Sequence, residues 1–269
     1  VRGAYDEIAA VNDVMSNYVK TSELMQLCDR AGGPPVEVSG ELFFILQRSQ
    51  AMASISGGAF DVTVGPYAEL WRSARRSGRL PSDSALAAAD SIVGWQKIAL
   101  DPVKRTVQLA VPGMEIDLGG IAKGYALDRA LAVLEHRGID RALVNAGGDV
   151  AVGAPPPEEE GWVVGIANAD SAHRRITLSH AAVASSGDTE QFVEIGGKRY
   201  SHIVDPRTGL GLTSRLGVTV VAPDGMTADS YATAISVLGP EEGRQFVDRF
   251  PGIHAYIRRA SSAGNGPNP

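Results

Sequence analysis

The order of apolar patterns along the chain limits the fold more than any other feature. Helical spacing of apolar residues comes first, and short strand-like runs dominate later. Predicted helices cover 3–18, a segment capped by Ser39, 63–72, a segment opened by 81–83, 119–137, 228–238 and 241–250. Predicted strands cover 97–100, 106–110, 114–118, 142–145, 150–152, 162–168, 174–178, 192–195, 216–222 and 252–258. This segregation predicts an α+β fold, with helices packed on a mostly antiparallel sheet, and not a doubly wound one.

Composition narrows the class of protein. The 269 residues carry 25 Lys and Arg against 31 Asp and Glu, a net charge of −6, and 44% of them are hydrophobic. This balance predicts a folded globular chain and argues against general affinity for nucleic acid. The single cysteine, Cys28, excludes an intrachain disulfide and a cysteine-based zinc site. No apolar run approaches the roughly 18 residues of a membrane span, so no transmembrane segment is expected.

Common catalytic signatures are missing from the sequence. It has no GxxxxGK[ST] phosphate loop, no GxGxxG after a predicted strand, no GxSxG elbow and no HExxH motif. The five histidines show no metal-ligand spacing. Common hydrolase and dehydrogenase interpretations therefore lose support.

A diglycine at the start of the predicted helix 119–137 is the first candidate site. Free backbone N–H groups at such a helix start suit a phosphate, and Gly119 and Gly120 allow close approach. Asp117 could accept a hydrogen bond from a sugar or base, and Lys123 could supply a cation. A tight strand-to-helix turn without a ligand explains the same residues.

The second candidate lies in the predicted helix 228–238. Asp229 and Thr233 are four residues apart, so their oxygen atoms point from one helical face. A carboxylate, a hydroxyl and nearby carbonyls suit a hard cation such as Mg²⁺. The structural alternative is an acidic first-turn residue that favours the helix dipole.

Two further segments carry groups that could take part in chemistry. His202 lies near the end of a predicted strand, and imidazole is the usual general base near neutral pH. In 57–66 the glycines permit close approach of a ligand, Phe60 could pack on a ring, and Asp61 could cap a helix beginning at Thr63. A structural histidine and an ordinary helix cap are the alternatives.

A basic cluster follows residue 70. A solvated helix face explains it most simply, and a surface that meets an anionic partner is the alternative. The cluster consists of Arg72, Arg75, Arg76 and Arg79.

Several of these segments together resemble a known family. The motifs AFDVTVGP, DLGGIAKGYALD, NAGGD, ASSGD, HIVDPRTG and TADSYAT occur in the order seen in the ApbE family of flavin transferases. The resemblance covers roughly residues 5–258. It implies a compact α+β fold, dependence on Mg²⁺ and FAD as the flavin donor.

The resemblance also implies residue roles. His202 matches the catalytic base. The metal would be held by Asp229 and Thr233 and by the backbone carbonyl of Gly120. The FAD contacts would be Tyr18, Ala59, Phe60, Asp61, Asp117, Lys123 and Val204.

The implied reaction moves the FMN moiety of FAD to a Thr or Ser hydroxyl of an acceptor flavoprotein and releases AMP. The acceptor would carry a short flavinylation motif containing that hydroxyl. Two alternatives stay open at this point: an FAD pyrophosphatase that yields FMN and AMP, and a flavin-binding protein without turnover.

Boundaries and location follow from the same resemblance. The catalytic domain is expected to span 1–259, and 260–269 to form a disordered tail. The family begins with a strand carrying Met-Gly-Thr, and this chain starts after it. Ser185 stands where the family usually has Thr in a TSG motif, which keeps the hydroxyl. A cell-envelope location is expected, periplasmic or lipid-anchored after signal removal, with a cytoplasmic location as the alternative.

Overall fold

A computed structural model describes residues 1–166, 174–187 and 192–259. Within these ranges the α-helices are α1 (Arg2–Met15), α2 (Glu23–Cys28), α3 (Gly40–Ile55), α4 (Gly65–Ser77), α5 (Asp83–Ile92), α6 (Ala122–Glu135) and α7 (Gly225–Val247). Short 3₁₀ turns precede α4 at Val62–Val64 and follow α5 at Trp95–Lys97. Ser22, Ser39 and Ser82 cap α2, α3 and α5 through their hydroxyls, as serine at such positions does.

The strands form one central sheet and smaller pieces. They are β1 (Val36–Glu37), β2 (Ile98–Asp101), β3 (Thr106–Leu109), β4 (Leu143–Ala146), β5 (Asp149–Val152), β6 (Trp162–Gly165), β7 (Arg175–Leu178), β8 (Ala181–Gly187), β9 (Phe192–Ile195), β10 (Lys198–Ser201), β11 (Val204–Asp205), β12 (Leu210–Gly211), β13 (Leu216–Ala222) and β14 (His254–Arg259). The central sheet has the order β14-β13-β8-β5-β4, and β1-β3-β2 form a second sheet. Each strand pair in the described ranges is antiparallel, which confirms the predicted α+β class with an antiparallel sheet.

Helices α6 and α7 pack on the central sheet and on each other, and their crossing positions the candidate site. The backbones approach closely where Gly124 of α6 meets Gly225 of α7. A Cβ atom at Gly225 would lie only 2.5 Å from the Gly124 carbonyl oxygen. Asp128 of α6 stabilises the contact with α7, because its carboxylate accepts hydrogen bonds from the backbone N–H groups of Gly225 (2.6 Å) and Met226 (2.9 Å). Burial raises the pKa of Asp128 to about 6, although these hydrogen bonds oppose the shift.

Two sequence-based assignments need correction. The predicted strand 114–118 has no ladder partner: Met114, Ile116 and Leu118 are buried, but the segment is irregular backbone leading into a turn. The alternation of apolar and polar residues in this segment arises because every second side chain is buried, although the segment pairs with no strand in the described ranges. The predicted helix 119–137 begins only at Ala122, because the diglycine forms a turn. By contrast, the two helices predicted at 228–238 and 241–250 are confirmed as the two parts of α7, which breaks at Gly239 (φ 84°) before Pro240.

One strand at the heart of the sheet was not predicted. β8 reads AAVASSG, and Ala, Ser and Gly have little intrinsic preference for strands. It is extended because β13 and β5 pair with it on both sides. Residues 167–168 of a predicted strand and the whole predicted tail 260–269 lie outside the described residues. No helix in the described ranges is long and apolar enough to cross a membrane.

Candidate active site at the crossing of two helices

The three residues predicted to hold a metal come together at this crossing. Gly120 lies in the turn before α6, and Asp229 and Thr233 lie one turn apart on α7. A Cβ atom on Gly120 would lie 2.8 Å from the Thr233 hydroxyl oxygen, so the Gly120 backbone faces that hydroxyl. Glycine is needed here because any side chain would displace Thr233.

Asp229 is a buried carboxylate whose negative charge is only partly balanced by its neighbours. It is 2% exposed, and its Oδ2 accepts the backbone N–H of Gly124 at 3.1 Å. Its Oδ1 lies 4.0 Å from the Lys123 ammonium, beyond hydrogen-bond distance. Burial raises the pKa of Asp229 to about 7; Lys123 opposes the shift and the Asp149 carboxylate adds to it. This environment favours either a proton or an added cation on Asp229.

Lys123 lies between the carboxylates of Asp229 and Asp149 but is hydrogen-bonded to only one of them. Its ammonium donates a hydrogen bond to Oδ2 of Asp149, a residue that the sequence analysis did not assign to the site. Burial by itself would lower the pKa of Lys123, and the charges of Asp229 and Asp149 outweigh it, so the pKa is raised. Lys123 is therefore held as an ammonium beside the candidate metal site.

The donor set fits a hard divalent cation. Asp229 supplies a carboxylate, Thr233 a hydroxyl and Gly120 a backbone carbonyl, and oxygen ligands of this kind are preferred by Mg²⁺. No three His, Cys, Asp or Glu side chains in the described part of the chain are grouped to hold a metal. The candidate site instead combines one carboxylate with neutral oxygens, and Mg²⁺ commonly fills its remaining positions with water and substrate phosphate.

A second group of residues joins two predicted FAD contacts. Tyr18 is 79% exposed, and the Arg72 guanidinium carbon lies 5.1 Å from the centre of its ring. Arg72 also lies 3.9 Å from Oδ2 of Asp117, whose Oδ1 accepts the Gly119 N–H at 2.8 Å. Tyr18, Arg72 and Asp117 thus form a continuous polar and aromatic surface leading to the diglycine. The basic cluster was the only sequence signal for Arg72, and a solvated face was its simplest explanation.

The AFD segment is placed differently from the other predicted FAD contacts. Ala59 and Phe60 are buried, and Phe60, at 3% exposure, packs in the main core and not against solvent. Asp61 accepts the N–H and hydroxyl of Thr63 through Oδ1 and the N–H of Trp95 through Oδ2. Burial raises the pKa of Asp61, against the effect of these hydrogen bonds. In this arrangement, the Phe60 ring and the Asp61 carboxylate stabilise the local fold.

His202 lies on the connection between β10 and β11, and Val204 begins β11. His202 is exposed, and Val204 is buried and pairs with Gly211. This connection runs beside α7. Ser201 and Ile203 line a small cavity with Ser236, which lies one helical turn after Thr233. The fold therefore brings the HIVDPRTG segment to the same helix that carries the candidate metal ligands.

Comparison with known proteins now assigns the family. A model of the ApbE family matches residues 1–257, and the chain belongs to that family. A relative from Klebsiella pneumoniae, named FAD:protein FMN transferase, is 33% identical over 244 residues, covering 89% of this chain and 73% of the relative. One of the same name from Treponema pallidum is 33% identical over 262 residues, covering 91% and 72%.

Solved structures agree with this assignment. The flavin transferase ApbE from Vibrio cholerae has a TM-score of 0.84 at 30% identity, covering 97% of this chain and 86% of its own. The ApbE protein from Thermotoga maritima has a TM-score of 0.85 at 32% identity, covering 97% and 88%. The resemblance drawn from the motifs and the predicted fold are confirmed, and so is the prediction of a transferase enzyme.

Proposed function

We propose that this protein transfers the FMN moiety of FAD to a Thr or Ser hydroxyl of an acceptor flavoprotein, with release of AMP, in a reaction that requires Mg²⁺. The names of its relatives support flavin transfer from FAD to protein. The hydroxyl acceptor, the AMP product and the metal are the finer parts of the proposal.

One observation on this chain's own residues gives the main support for the proposal. At the crossing of α6 and α7, a buried carboxylate, a hydroxyl and a glycine backbone meet beside an ammonium group. Oxygen ligands and a neighbouring cation are what a pyrophosphate and its metal ion require. Mg²⁺ held by Asp229, Thr233 and the Gly120 carbonyl would neutralise charge on the pyrophosphate of FAD.

The remaining chemistry is assigned to side chains. His202 takes the proton from the acceptor hydroxyl, whose oxygen then forms a bond to the phosphorus on the FMN side. The bond from that phosphorus to the bridging oxygen breaks, and AMP leaves with the bridging oxygen. Lys123 lies where it can stabilise negative charge on the phosphates, and Tyr18 and Asp117 contact FAD. Phosphoryl transfer of this kind depends mainly on positioning and charge, so few catalytic side chains are needed.

The test is to incubate the protein with FAD, Mg²⁺ and a candidate acceptor domain and to measure the acceptor's mass and bound flavin. A gain of one FMN residue, lost on mutation of the acceptor's Thr or Ser, is the expected result. Free FMN and AMP with an unmodified acceptor would indicate the pyrophosphatase instead. FAD binding without either product would indicate a binding protein.

A matched pair of variants tests the metal site. Asp229→Asn removes the only charged metal ligand, and transfer should fall by orders of magnitude at low Mg²⁺ concentration. Asp224→Asn makes the same change on the same helix, but at the N-cap, where asparagine serves as well as aspartate. Equal activity of the two variants would contradict the assignment of Asp229.

The proposal includes a location in the cell envelope, either periplasmic or lipid-anchored. The family resemblance supports it, and the alternative is the cytoplasm. Fractionation of cells expressing the full gene product, with detection of the protein by antibody, decides between the two.

A further inference from the structure

Asp149 is a buried charge that the proposed reaction does not use. It belongs to the NAGGD motif, follows the turn Gly147–Gly148 and begins β5. The residue is 1% exposed, yet it is a carboxylate. Burying a charge is costly unless the charge is paired and hydrogen-bonded, so its partners indicate why it is present.

Both oxygens of Asp149 are occupied by fixed partners. Oδ1 accepts the backbone N–H of Ser185 in β8 at 2.9 Å, and Oδ2 accepts the Lys123 ammonium. The Ser185 hydroxyl lies 2.8 Å from that of Thr219 in β13, so three adjacent strands hold the acceptor in place. The NAGGD and ASSGD motifs therefore meet at this carboxylate.

Lys123 has two carboxylates within reach and is bonded to one. Asp149 holds its ammonium in direct contact, whereas Oδ1 of Asp229 remains 4.0 Å away. Asp229 Oδ1 is the oxygen that faces Lys123, whereas Oδ2 already accepts the Gly124 N–H, so Oδ1 is the atom more open to a metal ion. An ammonium bonded to Asp229 would compete with a divalent cation for the same negative charge.

We propose that Asp149 is a positioning residue: it holds the Lys123 ammonium away from Asp229, so that Asp229 stays available to the divalent cation. This inference rests on the metal site in the proposed function. Without the Asp149 charge, Lys123 would turn to Asp229 as its remaining carboxylate partner, and the cation would have to displace it.

The test measures Mg²⁺ binding by calorimetry in the absence of FAD and acceptor, so it does not depend on turnover. Asp149→Asn keeps an oxygen for the Ser185 N–H but removes the charge that attracts Lys123. We expect Mg²⁺ to bind about 10-fold more weakly, which corresponds to a loss of about 1.4 kcal/mol of binding free energy. Lys123→Met added to this variant removes the competitor and should restore binding at least to the wild-type level.

Rescue separates positioning from a direct or merely structural effect. If Asp149 attracted the cation by its own charge, Asp149→Asn would weaken Mg²⁺ binding by the same factor with Met at position 123, and the inference would be overturned. Should the single variant fail to fold, the double variant decides by itself. Wild-type or tighter Mg²⁺ binding by that variant supports the inference, and binding about 10-fold weaker overturns it.

Asp229→Asn distinguishes this inference from the proposed function. Unchanged Mg²⁺ binding by Asp229→Asn would show that Asp229 does not hold the cation. The proposed metal site and the proposed role of Asp149 would then both be wrong. Loss of binding in Asp229→Asn, together with unchanged binding in Asp149→Asn, would overturn the role of Asp149 alone.

Discussion

Replacing Gly124 by alanine tests whether the crossing of α6 and α7 sets the geometry of the site. A Cβ atom at this position would lie 2.7 Å from the Met226 backbone nitrogen and still closer to the Gly225 carbonyl. These are backbone atoms at the start of α7, so no side-chain rotation can relieve the overlap. The two helices must move apart, and Asp229, which accepts the Gly124 N–H, must move with α7.

The size of the effect follows from the distances. Side-chain Cβ atoms essentially never approach other heavy atoms within 3.0 Å, so the carbonyl of Gly225 must retreat by more than half an ångström. Overpacking of this kind costs about 1–3 kcal/mol, and the helix propensity of alanine returns about 1 kcal/mol. The net loss is therefore about 1 kcal/mol, which corresponds to a fall in Tm of roughly 2–4 °C for a chain of this size.

The assay is thermal unfolding combined with Mg²⁺ titration calorimetry on Gly124→Ala. Gly40→Ala is the matched control, since its Cβ would lie no closer than 3.8 Å to another residue's heavy atom, the Arg105 Nη1. That variant should lose no stability. A Gly124→Ala protein with the wild-type Tm and wild-type Mg²⁺ affinity would refute the close approach of the two helices.

Three further predictions concern other parts of the site. Arg72→Met should weaken FAD binding, measured by flavin fluorescence, by about 5-fold, or about 1 kcal/mol for a partly exposed cation–π and ion-pair contact; Arg76→Met, which loses a contact to the same Glu69, should leave it within about 2-fold. His202→Ala should lower transfer about 10²–10⁴-fold without changing FAD affinity, whereas the exposed His254→Ala should change neither. The contribution of Asp128 to stability is fully present below its unfolded pKa of about 4 and is lost as pH rises through its folded pKa of about 6. The Tm of Asp128→Asn should therefore decline less than that of the wild type over this range; an identical decline would contradict the raised pKa.

Local features of the site could be predicted because they depend on neighbours in sequence. Asp229 and Thr233 face the same way because a helix repeats every 3.6 residues. The serine cap of α3 and the start of α5 at 81–83 were predicted from the order of residues alone. The irregular segment at 114–118 shows the limit of such reasoning, since alternating burial does not require a strand partner.

Partners that are distant in sequence could not be predicted. Lys123 and Asp149 are 26 residues apart, and Gly124 and Asp229 are 105 apart. No local pattern distinguishes Asp149, which holds a lysine, from an ordinary residue after a diglycine turn. Arg72 likewise differs from its exposed neighbours only because Tyr18 and Asp117 fold against it.

The sequence by itself determined the family, the α+β class and the set of chemical groups available to the site. It did so because motif order and apolar periodicity are properties of the chain. Only the tertiary structure decided which carboxylate pairs with Lys123 and that Phe60 lies in the core. It also made glycine necessary at positions 124 and 225, where the two helix backbones leave no room for a side chain. Charge interactions and steric overlap depend on distance in space, and that distance exists only after α6 and α7 have packed on the sheet.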